Sequence, residues 1–193
     1  HKQSFMNFSR LKLEGVILVQ SSHFEDDRGY FSETYRQDKL DNFFKNKIIF
    51  CQENKSFSHK NVFRGLHYQM PPFAQSKLIS VLSGSVSDVV LDIRKNSPTF
   101  GKSLIIHLDC INNKQLFVPR GLAHGFLVTS ESAIISYKVD NFYSKENERI
   151  INVKDQSLKL DLDFNSFNIS KKDLEAPNLN ESYLFDYNIN YYE

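Results

Sequence analysis

The chain has no tryptophan, and its 193 residues include only two cysteines, Cys51 and Cys110. Two lone thiols far apart make no disulfide framework, and no CxxC or Cys/His spacing suggests a structural metal. A reduced, cytoplasmic protein is the expectation. No apolar run approaches the roughly 20 residues needed to span a bilayer. The opening HKQSFMNFSRLKLEG lacks the apolar centre of a signal peptide. Met6 is read as a natural start, with residues 1–5 a remnant of expression. Net charge is scarce too. At +1 it leaves no electrostatic footprint for nucleic acid or an anionic membrane. Any phosphate on a ligand must be held by individual Arg and Lys side chains.

The familiar loop motifs are also missing: no GxGxxG, Walker A, GxSxG or HExxH. A metal in a small β-barrel would want a close His pair plus a carboxylate. His67 has Gln69 where a second ligand would fall, and His59 and His107 lie in unrelated segments. No metal and no cofactor are expected.

With 40% hydrophobic and 24% charged residues, the chain can build an ordinary core. Residues 1–193 read as one domain. Short apolar segments with turn punctuation dominate from about 15 to 155. GVILVQS (15–21) reads as a strand. DDRGYFSETY (26–35) reads as a turn running into an alternating segment. QDKLDNFFK (37–45) has helical spacing at Leu40, Phe43 and Phe44. KLISVL and VSDVVLDI, joined by Ser83-Gly84-Ser85, read as a hairpin. KSLIIHLD and KQLFV read as strands. HGFLVTS and AIISYKVDNFY read as a second hairpin. The tail, 156–193, carries Phe and Tyr among polar residues, and SKKDLEAP (170–177) opens a short helix with Ser170 as N-cap. This pattern predicts an all-β fold, a sandwich or barrel with a few short helices.

Side chains two apart on a strand share a face. Lys77 therefore aligns with Ile79 and Val81. Tyr137 aligns with Ala133, Ile135 and Val139, and His124 with Phe126 and Val128. All three are expected at interior positions of the barrel. His67 aligns with Gly65 and Gln69, opposite Leu66 and Tyr68, and its strand leaves its direction open. Each residue has an ordinary reading alone. A buried Tyr or His needs only one hydrogen bond, a strand end can open its Lys to water, and Arg64 can be a surface charge. An interior Lys is costly unless paired or functional. Their joint occurrence around one barrel cavity is what points to chemistry.

The segments RGLHYQ, PPFAQSKL, DVVLDIRKNSPTFG, QLFVPRGLAHGFLV and YKVDNFY, with DDRGYFSETY near the start, occur in one order over about residues 15–175. Together they resemble the dTDP-4-dehydrorhamnose 3,5-epimerase family. The resemblance implies a cupin-like jelly-roll barrel, with 156–193 packed on it. It implies inversion of the two carbons beside the ketone of a dTDP-4-keto-6-deoxyhexose, without a cofactor, through an enolate.

By that resemblance His67 is the base and Asp173, in SKKDLE, the carboxylate that orients it. Tyr137 is the proton donor on the opposite face, and Lys77 the cation near the ketone oxygen. Arg64 is a pyrophosphate ligand, and His124 lies close to the sugar or phosphates. Arg28, Phe31, Glu33, Gln52, Asn54 and Tyr143 hold the nucleotide, with Phe31 and Tyr143 flanking its base. The DDRGYF segment of the family reaches across a dimer interface, so a homodimer is implied.

The chain departs from the family pattern at three places. Phe117 stands where Trp is usual, LKLDLDF replaces the common G-I-x-W-P stretch, and Ser76 replaces the commoner Gly before the barrel lysine. Relatives on this scaffold that invert a single carbon, or that act on other nucleotide sugars, fit the same residues. A non-catalytic sugar-nucleotide-binding barrel would need Arg64, Gln52 and Asn54 but not His67 and Tyr137 together.

Overall fold

The computed structural model describes residues 5–193. The remnant expected at residues 1–5 therefore lies, except for Phe5, outside the described residues. Two large sheets face each other, as the resemblance implies. The first has the order β1 (Met6–Arg10), β2 (Ile17–Ser21), β11 (Lys114–Val118), β7 (Lys77–Ser83), β13 (Ser132–Val139) and β5 (Gln52–His59). The second has the order β10 (Ser103–Asp109), β8 (Ser85–Asp92), β12 (Leu122–Val128), β6 (Val62–Gln69) and β14 (Glu148–Ile150), with β15 (Asn168–Ile169) parallel to β6. A small hairpin joins β3 (Phe24–Asp26) to β4 (Gly29–Phe31), and β16 (Phe185–Asp186) runs parallel to β9 (Arg94–Lys95). Helices α1 (Gln37–Phe43) and α2 (Lys171–Leu174) complete the picture, α2 capped by the Ser170 hydroxyl at the Asp173 N–H, as expected.

Neither predicted hairpin forms. β7 pairs with β11 and β13, whereas β8 pairs with β10 and β12 in the opposite sheet. β12 and β13 are likewise divided between the sheets. Both turns carry the chain over the edge of the sandwich, and the two corners stack. The Ser85 N–H donates to Ser130 Oγ at 2.9 Å, and the Thr129 N–H to the Ser85 carbonyl at 3.0 Å. Gly84 is required at this corner: its φ is +76°, and a Cβ there would lie 2.1 Å from the Ser132 carbonyl. In DDRGYFSETY only Asp26, the end of β3, and Gly29–Phe31 are strand, because β3 is three residues long.

Three apolar layers result. Ile79 and Val81 of β7, Val86 and Val90 of β8, Leu116 and Val118 of β11, Phe126 and Val128 of β12, and Ala133 and Ile135 of β13 fill the space between the sheets. Phe63, Leu66, Tyr68, Val89 and Leu91 face the other way and are covered by the tail, including Leu158, Leu179 and Phe185. Ile17, Val19, Leu78 and Phe117 form a third layer against Phe43, Phe44 and Phe50. Phe185 of the tail, with Phe164, Phe167 and Tyr191 packed beside it, thus covers a sheet face that would otherwise be bare. Among the described residues no helix is long and apolar enough to cross a membrane.

Candidate active site

β6 decides the direction of His67. Leu66 and Tyr68 belong to the outer layer, so the alternating His67 and Gln69 turn to the interior. Opposite His67 in register stands His124 on β12. The two strands come very close just before it. A Cβ at Gly65 would lie 2.6 Å from Gly125 Cα, and one at Gly125 2.6 Å from the Arg64 carbonyl. Two glycines facing each other let the backbones meet here, and a bulge between His124 and Phe126 accompanies the approach.

His67 Nε2 lies 2.8 Å from Asp173 Oδ1, and Asp173 Oδ2 accepts the Gly65 N–H at 3.2 Å. The Asp173 side chain is 5% exposed and that of His67 34%. The carboxylate is therefore fixed, while the ring reaches the cavity. Burial alone would raise the Asp173 carboxyl. The His67 hydrogen bond and charge, with the Gly65 N–H and Ser170, bring it below the ordinary carboxylate value. It stays ionised and holds one ring nitrogen, leaving the other to accept a proton.

Lys77 opens β7 and is buried, its Nζ 3.4 Å from the His67 carbonyl. Burial pushes its pKa down to about 8, against the charges of Asp88 and Glu148 that favour the ammonium. Tyr137 lies on the neighbouring β13, two residues from the Val139 that pairs with Lys77. Burial raises its phenol above the ordinary value and Glu148 adds to this, while an Asn54 hydrogen bond and the Arg64 charge oppose it. A cavity of about 80 Å³ is lined by Asn54, His67, Gln69, Lys77, Tyr137, Tyr143 and Glu148, among others. His67 also lines a second hollow of about 350 Å³ with Arg64, Lys172 and Asp173. The imidazole thus borders both.

Gln52 ties Asn54 and Tyr143 together. Its Nε2 donates to Asn54 Oδ1 at 2.9 Å, and its Oε1 accepts the Tyr143 N–H at 3.0 Å. Arg64 Nε donates to Ser58 Oγ at 2.9 Å. Arg28, Phe31 and Glu33 are not brought to this cavity. Arg28 forms a double hydrogen bond to Asp26 on an exposed hairpin, Phe31 is 67% exposed, and Glu33 lies 3.9 Å from Arg36.

The structure adds three residues that the sequence reading missed. His124 Nε2 lies 2.7 Å from Asp88 Oδ1, and both side chains are buried. Alternation in VSDVVLDI carried a signal for this, since Asp88 shares a face with Val86 and Val90. Glu148 accepts from the Lys172 ammonium and, at 3.4 Å, from the Tyr143 hydroxyl. Neither residue stands out in its polar segment, because only the pairing of β14 with β6 and the docking of α2 bring them here. Among the described residues no group of three or more His, Cys, Asp or Glu is arranged to hold a metal ion.

The model of the dTDP-4-dehydrorhamnose 3,5-epimerase family matches residues 10–181. The chain belongs to that family. It is 42% identical over 171 residues to the dTDP-4-dehydrorhamnose 3,5-epimerase of Shigella flexneri, covering 89% of this chain and 94% of the relative. The crystal structure of the dTDP-4-dehydrorhamnose 3,5-epimerase from Elizabethkingia anophelis superposes with a TM-score of 0.87 at 42% identity, over 91% of this chain and 97% of that one. That of the dTDP-6-deoxy-D-glucose-3,5-epimerase from Legionella pneumophila, in complex with dTDP-4-keto-L-rhamnose, gives 0.91 at 35% identity, over 96% and 100%. The protein is an epimerase of cupin-like fold. The Phe at 117, in place of the family's usual Trp, is buried and packs against Phe44, with ring centroids 4.3 Å apart.

Proposed function

We propose that this epimerase acts on dTDP-4-keto-6-deoxyglucose and inverts the carbons on either side of its ketone. One observation carries the assignment of roles: a carboxylate-held imidazole, a buried ammonium and a protonated phenol border one cavity. A hydrogen beside a ketone is acidic because its removal gives an enolate. His67 takes that proton and becomes imidazolium beside Asp173. The C–H electron pair forms the carbon–carbon double bond, and the carbonyl π pair moves onto oxygen. The Lys77 ammonium stabilises that negative oxygen in a dry setting, where charge interactions are strong. Tyr137 returns a proton to the opposite face, and the ketone reforms with the carbon inverted. Exchange with solvent then restores phenol and imidazole. Arg64 suits the pyrophosphate through its planar fork, and Gln52, Asn54 and Tyr143 hold the base.

Incubation in heavy water tests this directly. Deuterium should enter at both C3 and C5, with product of inverted configuration. Incorporation at one carbon indicates a single-site epimerase, and incorporation at neither rules out this substrate.

The exposed hairpin carrying Arg28 and Phe31 needs an occupant for its aromatic and basic face. We assign it to the nucleotide site of a second copy, making the working unit a homodimer. Two inactive chains then complement each other. His67→Asn mixed with an Arg28→Ala/Phe31→Ala chain, after exchange of subunits, should recover about a quarter of wild-type activity, since half the dimers hold one intact site of two. No recovery would show that the hairpin serves its own chain or no site. The free thiols Cys51 and Cys110 suit the reducing cytoplasm, the compartment we assign.

A further inference from the structure

Residues 182–193 lie beyond the span that the family model matches. Yet the last of them are tied to the strand that carries Lys77. After β16 the chain turns, with the Ile189 N–H donating to the Asp186 carbonyl at 3.1 Å. It then delivers Tyr192 to a buried polar cluster. The Tyr192 hydroxyl lies 2.7 Å from Ser76 Oγ and accepts the Arg120 N–H at 3.0 Å. The Arg120 guanidinium lies over the Tyr192 ring, 4.8 Å from its centroid, and donates to the Tyr191 carbonyl. Its Nε donates to Asp140 Oδ2 at 3.2 Å, while Asp140 Oδ1 accepts the Ser76 N–H at 2.6 Å. Ser76 is fully buried, and the Asp140 side chain is 2% exposed.

The location gives the cluster its meaning. Ser76 immediately precedes Lys77. Lys77 pairs with Val118 on β11 and with Val139 on β13. Arg120 lies two residues past the first, and Asp140 one past the second. One cluster therefore fastens the ends of three adjacent strands at the point where the Lys77 side chain leaves for the cavity. The same cluster accounts for a departure from the family pattern. Ser76, which replaces the commoner Gly, provides the hydroxyl that Tyr192 meets. The end of the tail and a residue change on a distant strand thus fit each other.

We propose that Tyr192 is a positioning residue for the epimerase reaction, holding Ser76 and through it the Lys77 ammonium that meets the ketone oxygen. The proposal rests on the reading of Lys77 as that cation. Such a clasp raises precision more than affinity. A misplaced ammonium weakens stabilisation of the enolate while leaving the nucleotide contacts of Arg64, Gln52 and Asn54 intact. By this proposal the clasp also closes the strand end at which Ser76 and Lys77 are buried. The groups that face this ammonium are Asp88 on β8, with its partner His124 on β12, Glu148 on β14, His67 on β6 and Tyr137 on β13. On β11 its register partner is the apolar Val118.

The test compares Tyr192→Phe, Ser76→Ala and the double variant with the wild-type chain, by epimerisation and deuterium uptake across pH. Tyr192→Phe should lower kcat about tenfold with KM within about twofold. Water admitted at Lys77 should move the alkaline limb of the profile up by about one pH unit. The double variant should be no slower than the slower single variant, because both remove the same Tyr192–Ser76 contact. A lower Tm with wild-type kcat and an unmoved limb would reduce the clasp to structural glue and overturn the proposal. Losses that multiply in the double variant would overturn it too. Wild-type chain that fails to turn over would instead sink the substrate assignment, so the two failures are distinct.

Discussion

His67→Asn should lower turnover roughly 10²–10⁴-fold, the usual cost of removing one general base. The substitution is chosen to leave the architecture intact. Asparagine is shorter but polar, and it leaves room for water beside Asp173, the carboxylate that α2 presents 2.8 Å from the imidazole. The Gly65 N–H continues to satisfy the other carboxylate oxygen. The hollow lined by His67 and Asp173 lets water replace the imidazole at the carboxylate, so Tm should move little. What is lost is the proton acceptor, because an amide is not basic near neutral pH. Deuterium uptake and inversion should fall together, while binding of a dTDP ligand, measured by calorimetry, stays close to wild type. Turnover near the wild-type level would move the base elsewhere. The other imidazole opposite it, His124, is buried against Asp88 and does not line the cavity, whereas His67 is open to it, so the outcome discriminates sharply.

Much of this site was legible from alternation alone. Lys77, Tyr137 and His124 each sit on a strand whose apolar residues name the inward face, and the structure puts them there. His67 was not legible, because Gly65 and Gln69 have no hydrophobic preference. The outer layer settled it by claiming Leu66 and Tyr68. The hairpins were misread for a related reason. Ser83-Gly84-Ser85 reports a tight turn, but a turn does not say whether the next strand pairs with the last or crosses to the facing sheet. That is decided by long-range partners, here β11 and β10. Glu148 and Lys172 were invisible because their importance comes from tertiary docking. That the tail packs on the barrel was implied by the resemblance, but its composition of Phe and Tyr among polar residues does not tell which of them are buried: Phe185 is core, and the Tyr192 hydroxyl meets Ser76.

The second large effect separates function from stability at one residue. Lys77→Met should cost roughly 10²–10³-fold in kcat, the range for removing one donor to a developing oxyanion, yet it should stabilise the fold. The Lys77 pKa falls from 10.5 to about 8 on burial. That difference corresponds to about 3 kcal/mol spent on keeping an ammonium in the barrel at neutral pH. Methionine fills similar space without the charge. That figure is already net of the attraction of Asp88 and Glu148, and imperfect packing of the new side chain offsets part of it, so a gain of about 1–2 kcal/mol is expected by chemical denaturation at pH 7. The sign of the pH dependence follows. Between about 8 and 10.5 the unfolded chain holds a proton that the folded chain has released, so wild-type stability rises with pH across that window. The advantage of Lys77→Met should therefore shrink from pH 8 toward 10.5. Wild-type activity should decline over the start of the same window, as the ammonium that faces the enolate loses its proton. A variant that is less stable at pH 7, or one whose advantage is constant with pH, would mean that Lys77 is not held as a strained buried cation. The expected pattern, more stable and nearly inactive, would show that this barrel carries a destabilising charge at its centre because the reaction needs it there.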